Sequence, residues 1–326
     1  MARADLLLSL VKAGTRGDHA LFRRTVEAII AEEGAKQHHI LARNLSDLLS
    51  NNGRGISRAL GTTSEGIQGL IYEITPERSL DDLVLSNEVI SSCHELAEEH
   101  HRSDLLRSHS LEPRHRVLLV GPPGNGKTSL AEALANTLML PMLVVRYEGV
   151  VASYLGETAL RLRRLFDHVR ERHCVLFFDE FDTLGKERGD LHETGEIKRV
   201  VSSLLLQIDA LPSYVIVVAA TNHHELLDRA VWRRFQLRLS LPQPNKAQLE
   251  EWFRRFEKRL GLSLGVSLAT LAKELSGTSF GEVEEFGNDV LRRYVLEVPN
   301  GDLERIVRQR LEQWRERFRA PDPKSE

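Results

Sequence analysis

The segment that frames this chain reads Gly121-Pro122-Pro123-Gly124-Asn125-Gly126-Lys127-Thr128, and Ser129 follows it. It fits the pattern G-x-x-x-x-G-K-[ST]. Glycines let backbone N–H groups curl around phosphate oxygens, and a helix that starts near Lys127 directs its positive end at the same charge. An apolar run precedes the segment and a helical pattern follows it. We therefore predict that Gly121 to Ser129 form a P-loop for ATP, in which Lys127 reaches the β- and γ-phosphates and Thr128 ligates Mg²⁺.

A second motif supplies carboxylates. The apolar run Val175-Leu176-Phe177-Phe178 ends in Asp179 and Glu180. At the end of a strand beside the P-loop, Asp179 is placed to hold Mg²⁺ and Glu180 to polarise the attacking water. Asp182 fits a helix cap or a supporting hydrogen-bond partner better than a metal ligand. The alternative is an acidic turn at the surface.

Strand-like and helical runs alternate through residues 79–245. Four short apolar segments are rich in β-branched or aromatic residues, as expected of strands buried on both faces: residues 117–120, 142–145, 175–178 and 215–219. Helical candidates lie at 129–140, 159–172 and 196–208. The alternation predicts an α/β fold in which helices sandwich a parallel P-loop sheet.

Two other regions flank this predicted large domain. Residues 1–78 begin with helical periodicity and continue into a glycine-rich stretch, which predicts a small helical N-terminal module on a flexible linker. Residues 246–326 predict a small α-helical lid domain that ends in an amphipathic helix. Asn245 is the expected N-cap of the first lid helix and Gly261 its expected end.

Composition narrows the class of protein. Among 326 residues, 44 are Lys or Arg and 47 are Asp or Glu, for a formal net charge of −3. This balance argues against a surface built mainly for nucleic acid. The two cysteines, Cys93 and Cys174, cannot form a disulfide framework. The apolar run at residues 6–11 is too short to span a bilayer, so we expect a cytoplasmic protein without a membrane anchor.

Taken together, residues 79–300 resemble the AAA family of ATPases, and its protein-remodelling branch most closely. Ser79-Leu80-Asp81-Asp82-Leu83 resembles the segment that leads into the P-loop domain of that family. Ala219-Ala220-Thr221-Asn222 resembles the strand that ends in the sensor-1 residue. The resemblance implies that Asn222 helps to orient the lytic water.

The segment Leu227-Asp228-Arg229-Ala230-Val231-Trp232-Arg233-Arg234-Phe235 resembles the part of the family that carries arginine fingers. The family usually has a proline and a glycine between its two arginines, whereas Arg233 and Arg234 are adjacent. Fingers supplied in trans imply a ring of identical subunits, a hexamer, with sites between neighbours. The alternatives are a solvated loop or a salt bridge to a carboxylate.

Ser153-Tyr154-Leu155-Gly156-Glu157 resembles the first pore loop of such rings. An aromatic ring can contact any side chain of an extended polypeptide, whatever the sequence of that polypeptide. The resemblance at Tyr154, Leu155 and Gly156 therefore implies a polypeptide substrate. A tyrosine packed in a core is the alternative. Residues 185–193 fit either a second pore-facing loop or a surface loop. Residues 277–282 resemble the start of the third lid helix and lack the sensor-2 arginine of other branches, as the protein-remodelling branch commonly does.

The N-terminal module, with Phe22-Arg23-Arg24-Thr25-Val26-Glu27-Ala28-Ile29-Ile30, resembles the helical head of bacterial AAA ATPases that are paired with subtilisin-like serine proteases in phage defence. The chain has no nucleophile motif of its own, so this resemblance implies a separate serine protease as a partner. A competing hypothesis is a nucleic-acid-associated AAA ATPase, such as a loader or a transposition regulator, that contacts phosphates through Arg161, Arg163 and Arg164. The overall acidity and Tyr154 disfavour it. A non-enzymatic scaffold is disfavoured by the intact set of Lys127, Asp179 and Glu180.

Overall fold

The computed structural model describes residues 25, 26, 28, 69–146, 155–184, 201–223, 225, 227–298 and 301–317. The chain divides into two compact units, Met1–Thr63 and Ser64–Glu326. The architecture below is that of the second unit, which contains the P-loop segment. Within the described ranges, no helix is both long enough and apolar enough to cross a membrane.

A six-stranded sheet lies at the centre of this unit. Its strands are β1 (Ile71–Ile74), β2 (Arg116–Val120), β3 (Met142–Val145), β4 (Cys174–Phe178), β5 (Val215–Thr221) and β6 (Leu237–Ser240). The strands are arranged in the order β1-β3-β4-β5-β2-β6. Every neighbouring pair is parallel except β1 and β3, which run antiparallel. Parallel strands need crossover connections, and helices supply them here.

The described helices are α1 (Asn87–His101), α2 (Ser103–Ser108), α3 (Lys127–Thr137), α4 (Leu155–Arg170), α5 (residues 201–209), α6 (Arg229–Arg234), α7 (Lys246–Leu260), α8 (Leu268–Glu274), α9 (Phe280–Glu297) and α10 (Leu303–Arg317). Two short 3-10 turns occupy Leu80–Asp82 and Phe181–Leu184.

Alternating strand side chains fill a separate core on each face of the sheet. From β4, Leu176 and Phe178 join a core that includes residues of α4 and α5. Val175 and Phe177 of the same strand join a second core that includes residues of α1 and α3. Every residue of β4 and β5 is buried, as expected when helices cover both faces. The predicted α/β class is confirmed.

The last four helices, α7 to α10, enclose a third core. Phe253, Phe286 and Trp314 meet there edge to face, with ring centroids 6.3 Å and 6.0 Å apart. The Asn245 side chain accepts a hydrogen bond from the Gln248 N–H, and Gly261 ends α7 with φ at +67°. Both predicted ends of α7 are confirmed.

The sheet differs from the sequence prediction at its two edges. Strand β1 lies inside residues 1–78, which composition assigned to the N-terminal module and linker, and β6 was not predicted. An edge strand has one neighbour, so its burial and hence its apolar pattern are weaker than those of a central strand. Strand β6 alternates buried and exposed residues, and β1 has two exposed residues at its centre. Such short mixed patterns lack the continuous apolar run that identifies a central strand in the sequence.

Candidate functional site

The loop between β2 and α3 depends on glycine for steric reasons. Gly121 has a φ of +155°, and a Cβ there would lie 2.1 Å from the carbonyl oxygen of Leu241. Gly126 has a φ of +81° and is the N-cap of α3. L-residues with a side chain avoid both conformations. The sequence motif therefore fixes a tight loop whose backbone turns directly into the helix.

The first turn of α3 is suited to an anion. The N-cap Gly126 has no side chain to accept a hydrogen bond, and the first turn contains no acidic residue. The N–H groups at the start of a helix have no partner within it, and they lie at the positive end of the helix dipole. Lys127, Thr128 and Ser129 occupy these positions. A phosphate group is the natural partner for such a terminus.

Lys127 is buried and bonded to its own loop. Its Nζ donates to the carbonyl oxygens of Gly121 and Pro122 at 2.7 Å and 2.9 Å. Burial lowers the pKa of the ammonium group, and the charges of Asp179 and Asp182 oppose part of that shift. The lysine thus sits inside the loop where a phosphate would be enclosed.

The two strand-end acids lie beside the loop. The Thr128 hydroxyl donates to Oδ2 of Asp179 at 3.0 Å, and the Glu180 N–H donates to Oδ1 of the same carboxylate at 2.9 Å. Glu180 is exposed and has a φ of +44°, an uncommon conformation for a residue with a side chain. Hydroxyl and carboxylate oxygens are the kind of ligands that Mg²⁺ takes, so Thr128 and Asp179 fit that ion.

Asn222 follows β5 at the same edge of the sheet. Its Oδ1 is buried and has no hydrogen-bond partner among the described residues. Buried polar atoms are nearly always paired, so an orphaned acceptor that borders a cleft indicates a site for water or ligand. Its backbone is held by Asp182, whose Oδ1 accepts from the Asn222 N–H at 3.3 Å and from the Thr221 hydroxyl at 3.0 Å.

The lid reaches the P-loop through the start of α9. The Gly281 N–H donates to the carbonyl oxygen of Gly124 at 2.8 Å. The Phe280 N–H donates to Oδ1 of Asn125 at 3.3 Å. A Cβ at Gly124 would lie 2.6 Å from the Ser279 hydroxyl oxygen, so only glycine permits this approach. The lid and the loop therefore form two sides of one site.

These elements border an open cleft of about 1410 Å³. Its apolar wall includes Leu83 and Leu85 before α1, Trp252 and Phe256 on α7, and Phe280 on α9. Its polar end contains the P-loop, Asp179, Glu180 and Asn222. An apolar wall next to an anion-binding loop suits a nucleotide, which has a flat base at one end and phosphates at the other.

Arg233 and Arg234 lie on α6, and neither lines the cleft. Arg234 pairs with Asp209, since its Nε lies 2.8 Å from Oδ2 of that carboxylate. Arg116 shares the same partner through Oδ1 at 2.6 Å. Arg233 is exposed, and its side chain has no ion pair or hydrogen bond to another described residue. The structure thus separates two arginines that the sequence left equivalent.

The predicted pore residues lie largely outside the described part of the chain. Tyr154 and residues 185–193 lie outside the described residues. Leu155 and Gly156 begin α4, and the side chain of Leu155 is not described. On the same helix, Arg161 pairs with Glu157 at 2.6 Å and Arg163 with Asp167 at 3.8 Å.

Comparison with known proteins relates this chain to AAA ATPases. The profile of the ATPase family associated with various cellular activities (AAA) matches residues 117–243. An uncharacterized AAA family ATPase of Sinorhizobium fredii is 36% identical over 303 residues, which is 91% of each chain.

More distant relatives match a smaller part of the chain. A 26S proteasome regulatory subunit 8 homolog of Encephalitozoon cuniculi is 34% identical and covers 59% of this chain and 52% of its own. The ATP-dependent zinc metalloprotease FtsH 1 of Salinibacter ruber is 35% identical and covers 53% of this chain and 26% of its own. The chain therefore spans about half of the first protein and about a quarter of the second.

The contacts of Asp182 yield a prediction for stability. Asp182→Ala leaves the Thr221 hydroxyl and the Asn222 N–H without their acceptor, so we expect the free energy of unfolding to fall by about 1–3 kcal/mol. Asp182→Asn keeps an acceptor oxygen and should cost less. Urea denaturation of the purified variants measures both. The control is Asp104→Ala, because the side chain of Asp104 is fully exposed. An Asp182→Ala protein as stable as the parent would show that the hydrogen bonds from the turn after β4 to the end of β5 contribute nothing.

Proposed function

Because this chain belongs to the AAA family of ATPases and hydrolyses ATP, we propose that it assembles into a ring and uses that hydrolysis to remodel or thread a protein substrate. The main structural support for the ATP site is the hydrogen bond between Thr128 and Asp179, which joins the P-loop to the strand-end acids. The protein substrate is supported by relatives named as a proteasome subunit and a protease, and by the aromatic-aliphatic-glycine sequence at Tyr154.

We assign the site residues as follows. Residues 121–129 hold the phosphates through backbone N–H groups, and Lys127 adds positive charge at the β- and γ-phosphates. Thr128 and Asp179 would hold Mg²⁺, which neutralises charge on the phosphates when bound. Glu180 polarises the attacking water as a general base. Asn222 helps to orient that water, and its unpaired Oδ1 supports this role.

A second subunit would complete each site. We propose that Arg233 is the finger that reaches the γ-phosphate of a neighbour, because it is exposed and does not pair within the described chain. Arg234 instead stabilises the C-terminal end of α6 through its ion pair with Asp209. A finger in trans makes hydrolysis depend on assembly, which is why the proposal includes a ring, and by resemblance a hexamer.

We propose that residues 79–245, with β1 added at the sheet edge, form the ATPase domain and that residues 246–326 form the lid. Residues 1–78 would contain the module that recruits a partner. A separate subtilisin-like serine protease is our candidate for that partner, and it rests on sequence resemblance alone.

The nucleic-acid alternative has less support. Two of its three candidate arginines, Arg161 and Arg163, pair with acidic side chains on their own helix. A helix face of paired charges has little net attraction for a phosphate backbone. We therefore favour a polypeptide substrate.

The first test concerns hydrolysis and assembly. Glu180→Gln should bind ATP but lose phosphate release by about 100-fold or more, because the general base is absent. With ATP bound and not consumed, this variant should form one discrete oligomer in mass photometry. Glu98→Gln, which alters an exposed acid on α1, is the control and should leave turnover unchanged. Persistent monomers would contradict the ring, and full turnover by Lys127→Ala would contradict the ATP site itself.

The second test separates the two arginines. Arg233→Ala should lower kcat by about 1000-fold, because it removes charge stabilisation in the transition state. Arg234→Ala should lower stability through the loss of its Asp209 contact and reduce kcat far less. Steady-state phosphate release measures kcat, and urea denaturation measures stability. Equal loss of kcat in both variants would contradict the assignment of a single finger.

A mixing experiment then tests whether the finger acts in trans. Glu180→Gln subunits keep Arg233, and Arg233→Ala subunits keep Glu180. Mixed rings therefore contain interfaces with both groups, so hydrolysis should rise above that of either variant alone. No recovery in rings shown to be mixed would place the finger in cis.

The third test concerns the substrate. Tyr154→Ala should hydrolyse ATP normally yet fail to unfold a fluorescent protein that has an unstructured tail, measured as loss of fluorescence. Tyr154→Phe keeps the aromatic ring and should retain unfolding. Unfolding by Tyr154→Ala at the parent rate would rule out a threading role for this residue.

A further inference from the structure

Arg78 lies in the cleft but outside every motif described above. It belongs to the short segment before the 3-10 turn Leu80–Asp82, and α3 holds its backbone in place. Oε1 of Glu132 accepts hydrogen bonds from the N–H groups of Glu77 and Arg78 at 3.2 Å and 3.3 Å. Nδ2 of Asn136 donates to the Arg78 carbonyl oxygen at 3.0 Å. These contacts fix the main chain of Arg78 against the helix that begins at the P-loop.

The side chain of Arg78 extends to the start of that helix. Its Nη1 donates to the hydroxyl oxygen of Ser129. The first hydrogen bond within α3 runs from the Leu130 N–H to the Gly126 carbonyl oxygen, at 2.8 Å. The N–H of Ser129 therefore precedes the helical ladder and is one of the donors available to an anion. A guanidinium group and a helix N-terminus thus share one corner of the cleft.

The guanidinium has capacity left for an anion. It carries five N–H donors, and hydrogen bonds to described residues use only the one to Ser129. Its Nε lies 3.9 Å from Oε2 of Glu132, and 43% of the side chain is exposed. Arg255, a cation on the lid side of the cleft, differs. Its Nη1 donates to the carbonyl oxygens of Asp81 and Leu83 at 2.6 Å and 3.1 Å, and its Nε donates to Oε1 of Glu251 at 2.8 Å, so more of its donors are already used.

Helix geometry indicates which phosphate Arg78 would meet. Consecutive residues of an α-helix are about 100° apart around its axis. Thr128 contacts Asp179 on the side of the acids and the proposed Mg²⁺, where the β- and γ-phosphates belong. Ser129 contacts Arg78 on another side. The phosphate nearest the sugar is the one left for that side.

We propose that Arg78 binds the α-phosphate of the bound nucleotide, together with the hydroxyl and N–H groups of Ser129. Arginine suits this role because its planar fork donates two parallel hydrogen bonds to phosphate oxygens. The inference rests on the proposed placement of the phosphates on residues 121–129. It adds a cation that arises outside the P-loop and approaches the nucleotide from the segment before α1.

Isothermal titration calorimetry of Arg78→Ala tests the proposal, with ADP and with ATP in the Glu180→Gln background. Both nucleotides contain the α-phosphate, so both should bind about 10-fold more weakly. Arg78→Lys keeps the charge without the fork and should be intermediate. Arg102→Ala, which removes an exposed arginine that is paired with Glu98 on α1, should bind like the parent.

Two outcomes overturn the proposal. Unchanged binding of both nucleotides by Arg78→Ala removes the contact, and a loss confined to ATP places Arg78 at the γ-phosphate instead. Lys127→Ala distinguishes failure of this proposal from failure of the proposed P-loop site. If Lys127→Ala also binds ADP like the parent, the phosphates do not lie on residues 121–129. Should Arg78→Ala not fold, Arg78→Gln keeps a donor to Ser129 while removing the charge, and the same two criteria apply to it.

Discussion

Parallel pairing of β2 with β5, and of β5 with β4, places the P-loop, the strand-end acids and Asn222 at one edge of the sheet. Val120 at the end of β2 is in register with Thr221 of β5, and Phe178 at the end of β4 is in register with Ala219. The P-loop, the two acids and Asn222 begin where these strands stop. Because the strands are buried on both faces, a shift in register would expose apolar side chains. It would also move the P-loop, the two acids and Asn222 away from one another.

The sequence was sufficient where the information is local. Fully buried strands appear as unbroken apolar runs, so β2 to β5 were predicted, and the loop and acids follow from short motifs attached to them. Edge strands β1 and β6 were missed because partial burial weakens their pattern. For Asp182 the sequence left a helix cap and a supporting hydrogen-bond partner open, and Arg78 was not predicted at all, because their partners lie 39 and 51 residues away. No local pattern encodes such a contact, and only the packed sheet brings the residues together.

The lid has its own core of aromatic and aliphatic side chains, so it can hold its shape independently of the sheet. Its described polar contacts with the sheet domain lie on two sides of the cleft. Gly281 and Phe280 bond to the P-loop, while Arg255 bonds to the carbonyl oxygens of Asp81 and Leu83. A group of helices with its own core that is bonded at two such places can move as a body when one of those contacts changes.

The bond between the Gly281 N–H and the Gly124 carbonyl oxygen involves main-chain atoms alone. Side-chain identity therefore does not specify it, and bulk is what limits each position. A methyl group at 281 would make ordinary contacts at 3.4 Å, whereas one at 124 would collide with Ser279. Steric bulk therefore constrains the loop side of this joint more than the lid side: an alanine at 281 fits the space present, whereas an alanine at 124 would in addition have to adopt a φ of +75°.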